Sequence, residues 1–293
     1  MSGQQTIWTI KALLTWTTDF LAKKGIEAPR LEAQILLAHV LKCPRIELVA
    51  RSDEETDEKE RIQYRGLIKR RVDGWPVAYL TGEKEFYLLK FDVTPAVLIP
   101  RPETELLVLE ALRLLKPLAA PSVLELGTGS GCIAVSIAHQ KKDARVTATD
   151  VSPDALDVAR GNAKKHGVAE RMNFIQGDLF DPVPGAIAFD LIVSNPPYVT
   201  PGELAKLPPD IRDHEPRLAL DGGPDGLAFY RRIAASVGSR LKPGGWVLVE
   251  IGESQDEAVR GLFAERPDLE VGQTLKDAAG HTRVVTARRL AAR

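Results

Sequence analysis

Asn195-Pro196-Pro197-Tyr198 is the stretch of this 293-residue chain whose residue types and spacing point most directly to chemistry. Two successive prolines remove two backbone donors and restrict the residue before them, leaving a stiff segment whose carbonyls are available as acceptors. An NH2 group has two hydrogens to donate, and the Asn195 side-chain oxygen and the Pro196 carbonyl are two acceptors for them. Tyr198 offers a flat ring on which a planar group stacks, with its phenol at the wetter edge. The four residues suit a conjugated nitrogen held in one orientation, whether of a carboxamide or of a nucleobase amine. The preceding run Asp190-Leu191-Ile192-Val193-Ser194 reads as a buried strand, which puts the segment at a strand's carboxyl edge, where doubly wound sheets place ligands.

A second segment, Val123-Leu124-Glu125-Leu126-Gly127-Thr128-Gly129-Ser130-Gly131, runs off a strand into a helix. Glycines there allow a tight turn and a close approach of ligand to backbone. About twenty residues on, Asp150 closes the next strand, the position from which such folds hydrogen-bond a ribose diol. Gly127, Thr128, Gly129, Ser130, Gly131 and Asp150 therefore point to an adenosine-type ligand. A dinucleotide fingerprint would read Gly-x-Gly-x-x-Gly, whereas the glycines here fall as Gly-x-Gly-x-Gly, which resembles the S-adenosylmethionine loop of class I methyltransferases. That resemblance implies S-adenosyl-L-methionine as the cofactor beside the held nitrogen.

Magnitudes say what each part contributes. Complete loss of amide resonance costs on the order of 18–20 kcal/mol, and two hydrogen bonds at about 0.5–1.5 kcal/mol each do not match it. The tetrapeptide is thus an orienting clamp with modest polarising power. A sulfonium leaving group does much of the rest, and in-line alignment contributes about 7–11 kcal/mol. Direct transfer with no covalent enzyme intermediate follows. No base is needed before transfer, because the methylated amide nitrogen turns acidic and loses its proton afterwards. His139, His166 and His214 are accordingly read as structural or exposed.

Two kinds of element must position these groups. From Ile7 to about Arg71, apolar residues such as Leu31, Ile35, Leu36 and Leu41 recur at helical spacing, which reads as a small helical bundle. Its acidic stretch Asp53 to Glu60 and basic stretch Lys69 to Arg71 read as solvated helix surface. Gly74-Trp75-Pro76 breaks the pattern, and Phe86 to Val93 alternates as a strand pair. From Ser122 onward, short apolar strands alternate with amphipathic helices, the pattern of right-handed βαβ units in a doubly wound, mainly parallel sheet. Strands are predicted at Ser122 to Leu126, Arg145 to Asp150, Met172 to Gln176, Phe189 to Ser194 and Gly245 to Ile251, with a final pair near Leu269 to Leu275 and Arg283 to Ala287. Pro153 to His166 reads as a helix capped by Ser152 and ended by Gly167. The division that results is a helical docking domain over 1–75, a β-hairpin linker over 76–100 and an α/β domain over 101–293.

Bulk properties limit the partners. A formal net charge of -1 supplies no global field for nucleic acid. Cys43 and Cys132 are too few for a disulfide framework or a paired zinc site, so no metal is expected. The chain shows neither a leader pattern nor a run of about eighteen apolar residues, so a cytoplasmic protein with no membrane partner is expected.

Two further segments, Gly74-Trp75-Pro76-Val77-Ala78-Tyr79-Leu80-Thr81-Gly82 and Val97-Leu98-Ile99-Pro100-Arg101-Pro102-Glu103-Thr104-Glu105, resemble the linker signatures of the HemK/PrmC family. With Glu125 to Gly131, Asp150 and Asn195 to Tyr198, the similarity in order and spacing covers about two thirds of the chain. The resemblance implies a class I S-adenosylmethionine-dependent methyltransferase fold with a small N-terminal helical domain. It also implies N5-methylation of the glutamine in the Gly-Gly-Gln motif of class 1 peptide chain release factors, a modification of translation termination. It carries cofactor contacts onto Gly127 to Gly131, Asp150 and Asn195, and substrate contacts onto Asn195, Pro196, Pro197 and Tyr198. Where some members have an aromatic residue this chain has Leu179, followed by Phe180, and where many have Asp it has Glu125. Arg101, Glu103 and Glu105 read as an interdomain ion-pair cluster that serves either structural support or closure of the cofactor site. The competing readings are a DNA adenine N6-methyltransferase, which would require base flipping and a basic channel, and a non-catalytic adaptor that holds a release factor or ribosomal protein through the helical domain, with the cofactor only a ligand.

Overall fold

The computed structural model describes residues 8–291. The chain divides into two compact units, one running up to Gly82 and including Pro209–His214, the other formed by Glu83–Pro208 and Glu215–Arg293.

The first unit is helical. Helix α1 (Ile10–Lys23) begins at Thr9, whose hydroxyl accepts from the Ala12 amide, and α2 (Pro29–Leu41) has proline in its first turn. After α3 (Glu47–Ala50), α4 (Glu58–Val72) opens with a reciprocal box in which Asp57 caps the Glu60 amide and Glu60 caps that of Asp57. Two orphan donors are thereby satisfied at the start of a helix with little apolar content. Helix α5 (Val77–Thr81) ends at Gly82 in the left-handed region. Leu21, Leu36, Leu37 and Tyr64 are fully buried between these helices, and the Tyr64 hydroxyl donates to Ala33 O at 3.0 Å. Lys69 and Arg70 are exposed as the sequence suggests, but Arg71 is not a solvated charge: it forks onto Glu32, with side-chain exposures of 12% and 16%. Within the same unit the Trp75 ring lies between the Arg70 guanidinium, at 4.2 Å, and the His214 ring, at 4.5 Å.

The second unit opens with an antiparallel hairpin, β1 (Glu83–Phe86) and β2 (Leu89–Asp92). Its turn falls on Tyr87 and Leu88, both left-handed at φ 47 and 63, residue types that hide a tight turn from sequence reading. A 3-10 turn at Pro102–Thr104 leads into α6 (Glu105–Leu115). There follow β3 (Ser122–Leu126), α7 (Cys132–Gln140), β4 (Arg145–Asp150), α8 (Pro153–Lys165), β5 (Met172–Gln176) and β6 (Phe189–Ser194). After α9 (Pro201–Leu204) and α10 (Pro209–His214, counted with the first unit) come α11 (Ala228–Arg240), β7 (Leu241–Glu250) and α12 (Asp256–Ala264). The chain closes with β8 (Leu269–Val271), β9 (Leu275–Lys276) and β10 (Thr282–Arg289).

The eight-stranded sheet has the order β5-β4-β3-β6-β7-β10-β8, with β9 beside β10. Strands β3 to β7 run parallel, and β10 is antiparallel to β7, β8 and β9. This is the class I methyltransferase fold. Its core lies on both faces of the sheet: Val123, Val146 and Leu191 pack under α6 and α7, while Leu124, Ile192 and Val247 pack against α11. Strands β3, β4, β5 and β6 run over the residues read from the sequence, and burial on both faces accounts for the near-continuous apolar runs of β3 and β6. Strand β7 starts earlier, at Leu241, because Lys242-Pro243-Gly244-Gly245 is accommodated by a register shift between Phe189 and Leu191 of β6. The first strand of the predicted final pair, near Leu269 to Leu275, is split in two, with Gly272 packed against Thr286 of β10 between the halves.

Candidate active site

The parallel order reverses at β3, which has β4 on one side and β6 on the other. That is the switch point at which doubly wound sheets open a crevice at their carboxyl ends. A cavity of about 240 Å3 lies there, lined by Gly127 to Ser130, Asp150, Leu179, Asn195, Pro196 and Pro197 among others.

The glycine loop is pinned from below, since the Gly127 and Thr128 amides both donate to Thr149 O at 2.9 Å. Gly129 has φ +54, and a Cβ there would meet nothing within 4 Å, so its backbone edge stays open to the cavity. Gly131 does another job: a Cβ would come to 3.1 Å from Ala159 Cβ, so its absence lets α7 start against α8. Asp150 accepts from the Gly129 amide at 2.8 Å on one oxygen and from the Ser152 amide at 3.0 Å on the other. It therefore shapes the loop, while each oxygen keeps a lone pair for a ribose hydroxyl. Burial raises its pKa, and the Ser152, Gly129 and Val151 amides oppose that.

Glu125 is fully buried at the base of the loop, where Oε2 accepts from Thr128 Oγ1 at 2.5 Å and from the Ala134 amide at 3.2 Å. Burial pushes its pKa up to about 8 against those bonds. Its Oε1 is buried without a partner, and Glu125 lines the cavity. A buried lone acceptor beside a glycine edge and a ribose-type carboxylate fits a ligand that joins an adenosine to a cationic amino-acid tail. Leu179, at φ 48 with its carbonyl held by Thr149 Oγ1 at 3.0 Å, lines the same cavity. Phe180 does not line it and lies instead in the core, with the Arg240 guanidinium 5.8 Å from its ring.

At the acceptor end, Asn195 Nδ2 donates to Thr104 Oγ1 at 3.2 Å. Among the described residues no donor reaches Asn195 Oδ1, which leaves that oxygen free as an acceptor. Glu250, 3% exposed, ends β7 next to this pair. Burial pushes its pKa up to about 7; Thr104, Arg283 and Asn195 hold it down, while Glu103 raises it further. Tyr198 is not among the cavity-lining residues: its ring edge lies beside Gly252 and its carbonyl accepts from Gln255 Nε2 at 3.2 Å. Burial pushes its phenol up to about 12.

Arg101, Glu103 and Glu105 do not form an ion-pair cluster. The turn that starts at Pro102 sends them apart: Arg101 pairs with Glu215 at 2.5 Å, Glu105 accepts from the Tyr87 amide at 2.9 Å, and Glu103 is exposed. Glu215 also accepts from the Ile99 amide at 3.1 Å, so it ties the segment before α6 to the one after α10. His139, His166 and His214 lie outside the cavity lining. Among the described residues there is no group of side chains that could hold a metal ion, and no helix long and apolar enough to cross a membrane. Sequence reading missed Thr104 and Glu250 as site residues. The available signal was a carboxylate closing the apolar run Trp246-Val247-Leu248-Val249, one strand over from Asn195.

Two family models match the chain, the PrmC N-terminal domain over residues 12–82 and the methyltransferase small domain over residues 104–207. The release factor glutamine methyltransferase of Geobacter sulfurreducens is 45% identical over 98% of this chain and 99% of its own length. That of Rhodopirellula baltica is 42% identical over 97% and 98%. Among solved structures, the hMettl16 catalytic domain superposes with a TM-score of 0.55 at 14% identity, over 82% of this chain and 86% of that one, a likeness of fold alone. Near-full-length identity at this level, on a sheet whose switch point holds both the glycine loop and the clamp, shows that the chain belongs to the release factor glutamine methyltransferase family.

Proposed function

We propose that this protein methylates the side-chain nitrogen, N5, of the glutamine in the Gly-Gly-Gln motif of class 1 peptide chain release factors, with S-adenosylmethionine as methyl donor. The observation that carries the reading is the Asn195 carboxamide: its nitrogen is engaged by Thr104, no donor among the described residues reaches its oxygen, and Asn195 and Pro196 both line the cavity. Two acceptors at that place match the two hydrogens of a primary amide and fix the plane of its nitrogen.

The donor group supplies a methyl on a positively charged sulfur, a good leaving group. Gly127 to Ser130 present backbone edges to it while Gly131 lets α7 start against α8, Asp150 takes the ribose, Leu179 lies against the adenosine, and Glu125 accepts from the amino-acid end. Asn195 and Pro196 orient the acceptor, and Pro197 stiffens the segment that carries them. Tyr198, outside the cavity lining, braces the end of that segment through its carbonyl on Gln255 and its ring edge beside Gly252. The helical unit, with the hairpin as linker, adds affinity by holding the release factor away from the reacting atoms.

Tandem mass spectrometry of a class 1 release factor incubated with this protein and donor tests the reading. It predicts one added methyl on the Gln of Gly-Gly-Gln; a methyl on any other residue, or none, rejects it.

A further inference from the structure

Glu250 has no part in the reading above, yet it sits one strand from the clamp. Strands β6 and β7 pair in parallel with Ser194 opposite Val249, so the next residues, Asn195 after β6 and Glu250 at the end of β7, come side by side. Thr104 stands with them: its hydroxyl oxygen accepts from Asn195 Nδ2 at 3.2 Å, and the Thr104 and Asn195 side chains both favour the ionised form of the Glu250 carboxylate. Thr104 is 2% exposed and Glu250 3%, and Glu250 Oε2 has no partner. Such a group is costly to bury, which calls for a reason beyond packing.

The reason lies in the symmetry of a carboxamide. Turned by half a circle, the Asn195 side chain fills the same space but offers NH2 where it had offered oxygen, and a substrate NH2 then meets donors instead of an acceptor. An ionised carboxylate accepts only, so it admits the NH2 edge of Asn195 and rejects the oxygen edge. We infer that Glu250, with Thr104, is a positioning residue that locks the Asn195 carboxamide with its nitrogen inward and its oxygen toward the acceptor amide. This rests on the release factor reading. The groups that face Glu250 are Glu103 before α6, Arg283 on β10, Tyr198 after β6, Tyr230 on α11 and Cys132 on α7. Among these Arg283 is the cation and favours the ionised form, while Glu103 opposes it.

Steady-state kinetics on a release factor test the inference. Glu250→Gln can donate as well as accept, so it admits both orientations; kcat should fall about tenfold or more while KM for the release factor stays within about twofold. Wild-type kcat should rise as pH increases through about 7, and this limb should vanish in Glu250→Gln. Thr104→Ser keeps the hydroxyl and should retain most of the rate; Thr104→Val should lose it, which preserves the test if Glu250→Gln fails to fold. In an Asn195→Ala background, Glu250→Gln should cost nothing further, because it acts through Asn195. A wild-type kcat in Glu250→Gln, or the same loss in both backgrounds, overturns the inference and leaves the release factor reading standing. A wild type that methylates no glutamine overturns both.

Discussion

Asn195 and Thr104 are 91 residues apart in sequence and 3.2 Å apart in the fold, with the Asn195 amide nitrogen donating to the Thr104 hydroxyl. That bond engages the half of the carboxamide that donates and leaves the accepting half without a partner among the described residues, on a residue that lines the cavity. The clamp is therefore built from two parts of the chain: the end of β6, and the turn that follows the hairpin linker.

Removing the clamp's side chain leaves the acceptor amide with one acceptor in place of two. An unmade buried hydrogen bond costs about 1–3 kcal/mol, so Asn195→Ala should lower kcat by roughly 10- to 100-fold. KM for the release factor should move much less, because the amide is a small part of the docked surface. Initial rates at saturating donor check this; a loss confined to KM would mean that Asn195 serves docking.

Asp150 holds the Gly129 amide and lines the cavity, where the proposed function gives it the ribose. Asp150→Ala should weaken S-adenosylmethionine binding by roughly 10- to 100-fold, measured by calorimetry on the protein alone. Asp150→Asn keeps one acceptor oxygen and should fall between. Unchanged affinity in Asp150→Ala would remove it from the ribose site.

Stability without bound donor should depend on pH through Glu125. Its folded pKa of about 8 lies above the ordinary 4.5, so between those values the folded chain keeps a proton that the unfolded chain has released. Stability therefore falls as pH rises through that window and levels off above it, a change on the order of a few kcal/mol. Glu250, at about 7, adds a smaller part of the same sign. Thermal unfolding of Glu125→Gln across this range should show most of the slope gone, and an unchanged slope would place the titration elsewhere.

In the helical unit, Lys24, Arg61, Arg65 and Lys69 rim a groove whose lining includes Trp16, Phe20 and Tyr64. Trp16 is 48% exposed and stacks on Phe20 with ring centres 5.1 Å apart. If this unit holds the release factor, Arg65→Glu combined with Lys69→Glu should raise KM by about tenfold with kcat nearly unchanged, and added salt should raise the wild-type KM more than that of the variant. Equal KM values would take the groove out of docking.

Much of the scaffold was legible because its signals are local. Strands β3, β4, β5 and β6 are short apolar runs between turns, and α8 announces itself by Ser152, Pro153 and Gly167. Gly127, Gly129 and Asp150, which line the cavity together, follow from the same local logic. What escaped depends on pairs distant in sequence. Glu215 meets Arg101 across 114 residues, which no spacing rule anticipates and which draws Arg101 away from Glu103 and Glu105. Thr104 was read as part of a linker signature, and its role appears only when the turn at Pro102 brings it under Asn195. The early start of β7 was hidden because Pro243-Gly244-Gly245 has the composition of a turn, and the sheet absorbs it as an irregularity.

The central claim, that the held nitrogen is a glutamine amide, is tested most directly by transfer of labelled methyl from S-adenosylmethionine to three acceptors under one set of conditions. They are a class 1 release factor, the same factor with its Gly-Gly-Gln glutamine replaced by glutamate, and duplex DNA containing unmodified adenines. Label on the first acceptor alone is the predicted result. Label that survives the replacement of the glutamine, or that appears on the DNA in place of the protein, would contradict it.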